Sequence, residues 1–246
     1  MALLEVEQLS VSFGGVLALH LVDLDVAAGQ ATGLIGPNGA GKTTLFNAIC
    51  GLQPIGRGSI GLDGRDITSV APHKRARLGI ARTFQRLEVF GSMSVRDNVR
   101  VAADVRRSWL GRRQRSATTP EDRTEQILDR VGLRAVADDL VDSLPTGLAR
   151  LVEVGRALAS EPSVLLLDEP SSGLSAEETD AFASLLEDLA AEGLAILLVE
   201  HDVELVMRVC ARIHVLDFGR IIAAGTPAEI RGNELVQMAY LGTADS

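Results

Sequence analysis

Three stretches of the chain are apolar at nearly every position: Ala31–Ile35, Ser163–Leu167 and Leu194–Val199. Short unbroken runs of this kind predict parallel strands covered by helices on both faces. Between the last two, Phe182, Leu185, Leu186 and Leu189 recur at helical spacing and predict one apolar stripe on a helix across Ser175–Glu192. Ser175 with Glu178 reads as its capping box, and Gly193 as its stop. A strand–helix–strand unit of this length implies a right-handed crossover in a parallel sheet.

The pattern differs elsewhere. Val11–Phe13 and Leu21–Val26 alternate about Gly14 and Gly15, and Gly58–Leu62 runs into Asp63-Gly64, a hairpin signal. Residues 1–30 with about 55–65 are therefore expected to form an antiparallel β-subdomain. Residues from about 87 to 160 read as helical, with candidates Arg96–Arg106, Glu121–Val131 and Leu148–Ser160. Segments 31–52 and 161–225 are left as the core. Residues 226–246 form a short helical tail opened by a capping box from Thr226 to Glu229. Between the first two candidate helices lies a basic stretch, Arg106, Arg107, Arg112, Arg113 and Arg115. It reads as a solvated loop, or as a contact for acidic lipid headgroups or a partner.

At 246 residues the chain suits one sizeable domain with smaller appendages. Its 46 % hydrophobic content supports a full core. A net charge of −9 speaks against binding nucleic acid through phosphate neutralisation, and 3 % aromatic residues against base-stacking platforms. Two cysteines, Cys50 and Cys210, exclude a disulfide scaffold and suit a reducing compartment. No apolar run approaches the roughly 20 residues of a spanning helix, and the N-terminus lacks the basic start of a signal peptide. Membrane contact is expected only through a partner.

The chemistry is concentrated at strand ends. Gly36-Pro37-Asn38-Gly39-Ala40-Gly41-Lys42-Thr43 fits the phosphate-loop pattern, with an apolar strand before it and a helix, Thr44–Cys50, after it. Gly36, Gly39 and Gly41 let the backbone approach an anion, so that amides at the helix N-terminus face the phosphates. Lys42 is then placed for the β- and γ-phosphates, and Thr43 for Mg²⁺. A second element, Val164–Asp168 followed by Glu169, ends a buried strand in two acids at the edge where open α/β sheets bind ligands. Asp168 is the expected Mg²⁺ ligand and Glu169 the base for the attacking water. His201 follows the next strand and reaches the same edge, facing the γ-phosphate, while Asp202 caps the helix Val203–Ala211. The fold expected is an α/β P-loop NTPase with a parallel core sheet, an N-terminal antiparallel β-subdomain and an inserted helical subdomain.

With these elements in this order, the chain resembles the nucleotide-binding subunits of ATP-binding-cassette transporters over essentially its whole length. The resemblance implies further assignments. Phe13 matches the aromatic position that stacks on adenine, and Gln85 the Q-loop glutamine that touches Mg²⁺ or the attacking water. Ser172-Gly173-Leu174-Ser175 matches the D-loop. Thr44 and Asn38 join the nucleotide-binding loop. Leu144-Pro145-Thr146-Gly147-Leu148 falls where the L-S-G-G-Q signature belongs. The block Gly79–Gln85, the segment Glu200–Asp202 with Leu205–Met207, and the ending Ala239–Gly242 look like the larger ATPase subunit of branched-chain amino acid importers. Urea and short-chain amide importers share these features. The chain stops soon after Gly225, so the regulatory domain of sugar-type importers is not expected. The implied cofactors are ATP and Mg²⁺. The implied partners are transmembrane permease subunits, a second ATPase subunit and, indirectly, an extracytoplasmic solute-binding protein, with the chain at the cytoplasmic face of the membrane. An exporter or lipid-transport ATPase, and a regulatory cassette with little turnover, are the alternative functions.

The signature departs from the family pattern. It acts in trans, closing over ATP held by the other subunit. Pro145 at the serine position has neither hydroxyl nor N–H donor, Thr146 replaces a glycine and Leu148 the glutamine. Each missing charge-assisted bond is worth about 1.5–3 kcal/mol. Two alternatives keep the loop competent: Thr146 substitutes its hydroxyl, or the register is displaced by one residue. Ser175 replaces the D-loop acid or amide. Intact phosphate-loop chemistry with an altered closure loop favours a heterodimer with a paralogous subunit over a homodimer.

Overall fold

The computed structural model describes residues 2–110 and 118–241. Strands β1 (Ala2–Phe13) and β2 (Val16–Ala27) form a long antiparallel hairpin through Gly14-Gly15. Their alternation is broken by register shifts. Leu4 and Val6 are buried, then Leu9 and Val11, because the ladder slips at Gln8, which takes a φ of 48°. Leu21, at φ 52°, marks the matching irregularity on β2. These bulges change the phase of the pattern, which is why only fragments of both strands are legible by alternation. After β3 (Ala31–Ile35) and α1 (Lys42–Ile49), β4 (Arg57–Leu62) and β5 (Arg65–Asp66) turn tightly at Asp63-Gly64. The first sheet has the order β2-β1-β4-β5.

Helix α2 (Pro72–Arg77) leads into β6 (Ile80–Arg82). Three helices follow: α3 (Val95–Trp109), α4 (Pro120–Arg130) and α5 (Thr146–Ala159), with two single turns of 3₁₀ helix before α5. Then come β7 (Val164–Asp168), α6 (Ala176–Ala191), β8 (Ala195–Val199), α7 (Val203–Val209), β9 (Cys210–Asp217) and β10 (Arg220–Gly225). Helices α8 (Pro227–Arg231) and α9 (Glu234–Leu241) close the described chain. The second sheet runs β10-β9-β3-β8-β7-β6, parallel except for β10. The basic stretch from 111 to 117 and Gly242 lie outside the described residues.

The central strands β3, β7 and β8 are buried at every position, and their alternate residues serve two cores. Leu34, Leu166 and Leu197 face Phe46 of α1 and the first sheet. Ile35, Leu165, Leu167, Ile196 and Leu198 face α5 and α6 through Val152, Phe182 and Leu186. Continuous apolar runs are the sequence trace of this double covering. The capping boxes at Ser175 and Thr226 form, and Asp202 Oδ1 accepts from the amides of Glu204 and Leu205.

Several boundaries differ from the expected ones, among them the end of α3, at Trp109 rather than Arg106. Helix α1 starts at Lys42 rather than Thr44. Helix α7 stops at Val209 rather than Ala211, because Cys210 pairs with Ala31 in the sheet. Helix α5 starts at Thr146 rather than Leu148, with Pro145 at its N-cap and no side-chain cap to mark it.

Candidate functional site

The C-terminal ends of β3, β7 and β8 converge on a cavity of about 470 Å³. It is lined by the loop from Asn38 to Thr44, with Gln85, Asp168, Glu169 and His201. The loop is closely supported from behind. A Cβ on Gly36 would lie 1.9 Å from the carbonyl oxygen of Leu216, so only glycine fits there. Gly41 is the N-cap of α1 at φ 112°, where a Cβ would meet Leu19 and the Ala18 carbonyl at 2.8 and 2.9 Å. Ala40 accepts from the amide of Gly219 in the β9–β10 turn at 2.9 Å.

Lys42 is 8 % exposed, and its Nζ donates to the carbonyls of Gly36 at 2.6 Å and Pro37 at 3.0 Å. Burial lowers its pKa from the ordinary lysine value, against the opposing pull of Glu169 and Asp168. A buried ammonium satisfied only by neutral carbonyls beside a cradle of backbone amides suits a polyphosphate. The far end of α1 is fixed by Arg75, a residue that sequence reasoning missed. Its guanidinium donates to the carbonyls of Ala48, Ile49, Val70 and Thr68 at 2.7–2.8 Å. In the sequence it sits in a basic run, Lys74 to Arg77, that reads as a solvated helix face.

The two acids behave differently. Asp168 is buried, its backbone N–H donates to Thr83 Oγ1 at 3.0 Å, and its Oδ2 meets Arg82 at 3.1 Å. Burial raises its pKa, while Arg82 pulls it back down. Glu169 takes φ 52°, a left-handed backbone that costs about 1 kcal/mol or more for a side chain with a Cβ. Its N–H donates to the Val199 carbonyl at 2.9 Å, tying β7 to β8, and its Oε1 lies 2.9 Å from His201 Nε2. Glu200, not singled out as a site residue by sequence, is the buried organiser of this edge. Its two oxygens accept from the amides of Ser171 and His201 at 2.8 and 3.1 Å. Burial raises its pKa, and these bonds oppose the rise. Among the described residues no cluster of three or more His, Cys, Asp or Glu offers a self-sufficient metal site. One buried carboxylate and the Thr43 hydroxyl suit Mg²⁺, which draws its remaining ligands from phosphate oxygens and water.

Gln85 is exposed at the cavity rim, but its backbone is held by α5. Arg150 donates to the carbonyls of Phe84 and Gln85 at 2.7 and 2.6 Å, Glu153 Oε1 accepts from the Phe84 amide at 3.0 Å, and Arg156 donates to the Glu88 carbonyl. These three residues, spaced three apart on one helix face, carry no motif of their own in the sequence. The same helix begins within Leu144–Leu148, the segment expected from the sequence to be the signature. Gly147 packs against Gly173, and a Cβ there would lie 2.6 Å from the Gly173 carbonyl oxygen. The segments Leu144–Leu148 and Ser172–Ser175 of the same chain are thus in contact. Phe13 stands apart: it is half-exposed at the end of β1 and does not line the cavity.

Phosphate loop, paired strand-end acids and histidine thus share one edge of a parallel sheet. The family model described as "ABC transporter" matches residues 19–172. The chain belongs to the ABC transporter family. It is an ATP-binding, ATP-hydrolysing cassette with an α/β P-loop NTPase fold. A second family, "Branched-chain amino acid ATP-binding cassette transporter", matches residues 220–246. The high-affinity branched-chain amino acid transport ATP-binding protein BraF of Pseudomonas aeruginosa is 39 % identical, covering 98 % of each chain. The lipopolysaccharide export system ATP-binding protein LptB of Escherichia coli is 36 % identical, again with 98 % of each covered. Among solved structures, a nucleotide-free ATP-binding cassette from an ABC transporter superimposes with a TM-score of 0.85 at 28 % identity, over 98 % of this chain and 99 % of that one. An ADP-bound ABC cassette gives 0.84 at the same identity and coverage. Within this ABC cassette no described helix is long and apolar enough to cross a membrane.

Proposed function

We propose that the chain is the ATPase subunit of an ABC importer for branched-chain or other hydrophobic amino acids, or for related small solutes such as urea and amides. The observation that carries this reading is the match of residues 220–246 to the branched-chain amino acid cassette family, joined to near full-length similarity to BraF. A lipid-export ATPase is the second reading, favoured by the similarity to LptB.

In this reading the loop from Gly36 to Thr44 cradles the phosphates of ATP, and Lys42 exchanges its two carbonyl partners for β- and γ-phosphate oxygens. Thr43, Asp168 and Gln85 would hold Mg²⁺, which would neutralise phosphate charge. Glu169 accepts the proton of the attacking water, and His201, hydrogen-bonded to it, faces the γ-phosphate. Phe13 stacks on adenine. The signature from Leu144 to Leu148 closes over ATP bound to a second subunit. Pro145 removes one hydroxyl and one amide from that closure, yet α5 still presents the N-terminus of a 14-residue helix. The partner reading is therefore a paralogous subunit with an unaltered signature, giving one strong and one weak site. Transmembrane permease subunits dock at the groove of about 480 Å³ beside Phe84 and Glu88, holding the chain at the cytoplasmic face of the membrane, and a solute-binding protein delivers the cargo outside.

The test is uptake in the source cell after replacing the chain with its Glu169→Gln variant. Loss of radiolabelled leucine or urea uptake supports the importer. Unchanged uptake of both, with an outer-envelope lipid defect, moves the assignment to export.

A further inference from the structure

One buried cation at the site has no part in the roles assigned above. Arg82 ends β6 with its side chain 5 % exposed. Its Nη2 meets Asp168 Oδ2 at 3.1 Å, its Nη1 donates to Asn47 Oδ1 on α1 at 2.5 Å, and its Nε donates to the Thr83 carbonyl at 3.1 Å. The guanidinium lies over the rings of Phe46 and Phe84, 5.4 and 4.8 Å from their centroids. All these bonds and stacks hold one planar fork in a single orientation. From there it fixes the Asp168 carboxylate by one oxygen only. Oδ1 keeps no protein partner among the described residues. The backbone of Asp168 is fixed from the same strand, through its N–H on Thr83 Oγ1.

We propose that Arg82 is a positioning residue that orients Asp168 as a magnesium ligand, with Asn47 holding Arg82 in turn to the phosphate-loop helix. A carboxylate pinned at one oxygen presents the other in a defined direction, and loss of such outer partners weakens metal sites by about 10–100-fold. Arg82 touches neither nucleotide nor water in this scheme. It acts through Asp168, and so rests on the assignment of Asp168 above.

The test measures Mn²⁺, a paramagnetic substitute for Mg²⁺, bound to the ADP-loaded full chain by electron paramagnetic resonance. ADP affinity in EDTA and thermal unfolding are followed in parallel. Arg82→Met is expected to weaken Mn²⁺ binding about 10–100-fold while metal-free ADP binding changes less than about twofold. Arg82→Lys is expected to recover part of the loss, since one ammonium reaches Asp168 or Asn47 but cannot fork to both. Should Arg82→Met fail to fold, Asn47→Ala carries the test, because it frees one arm of the guanidinium without stranding a buried charge. Its expected effect is a several-fold loss of Mn²⁺ affinity. Unchanged or tighter Mn²⁺ binding in a folded Arg82→Met or Asn47→Ala variant overturns the proposal. Asp168→Asn separates the two assignments. If it too leaves Mn²⁺ binding unchanged, the ligand assignment itself falls. If it weakens binding and the Arg82 and Asn47 variants do not, only the positioning role falls.

Discussion

Lys42 and Glu169 sit in the same cavity but carry different expectations. Lys42→Ala removes the cation proposed to face the phosphates and is expected to abolish ATP turnover. Glu169→Gln keeps the shape and loses the proposed base, so it is expected to bind ATP while hydrolysis falls by about 100-fold or more. Equilibrium ATP binding and single-turnover hydrolysis separate the two, and turnover retained in Lys42→Ala would remove the phosphate-loop assignment. His214 on β9 makes a different prediction, about stability. It is 3 % exposed, neither ring nitrogen has a hydrogen-bond partner, and Asp25 stands 3.8 Å away. Burial pulls its pKa down to about 4 from 6.5, with Asp25 opposing and Arg212 assisting. Between those values the unfolded chain binds the proton and the folded chain does not, so stability falls as pH drops from 6.5 to 4. Above 6.5 both forms are neutral and the effect is flat. His214→Phe removes the titration. Chemical denaturation at a series of pH values should show the wild type losing up to about 3 kcal/mol relative to the variant across that window. A constant difference would mean the ring is protonated in the fold.

At the scale of elements, two helices hold the site by their ends. Arg75 gathers the last carbonyls of α1, where a cation also suits the helix dipole. Arg75→Ala leaves buried carbonyls unpaired and is expected to cost about 3 kcal/mol, read by urea denaturation; a loss under about 1 kcal/mol would mean that water replaces the guanidinium. Helix α5 joins the proposed signature at its start to the backbone of Phe84, Gln85 and Glu88 through Arg150, Glu153 and Arg156. Pro145→Ser with Thr146→Gly restores a hydroxyl cap and an amide at that start. Its expected effect is faster ATP hydrolysis by the chain alone, and no change would favour a loop already competent through Thr146. Elements with strong local signals were legible in the sequence: the phosphate loop from its glycines, β7 and β8 from unbroken apolar runs, α6 from its capping box. The start of α5 was not, because Pro145 offers no cap and the apolar pattern begins only at Leu148. The groups that organise the site, Arg75, Arg82, Arg150, Glu153 and Glu200, were hidden for a common reason. Each is a charged residue whose burial depends on partners distant in sequence, so no local pattern distinguishes it from a solvated one.

At the scale of the molecule, two sheets and a helical layer bring the acid-bearing strand ends, the loop from Asn38 to Thr44 and Gln85 to one edge, while the proposed signature stands at the N-terminus of α5 against Gly173. The residues proposed for the chemistry share that one cavity, and the proposed closure loop is the part that departs from the family pattern. The direct test is the ATPase rate of the purified chain against its own concentration. With a paralogous partner required, ATP binds and turnover stays near background at every concentration. A rate rising as the square of concentration, to about one turnover per second or faster, would show a competent homodimer and contradict the account of Pro145.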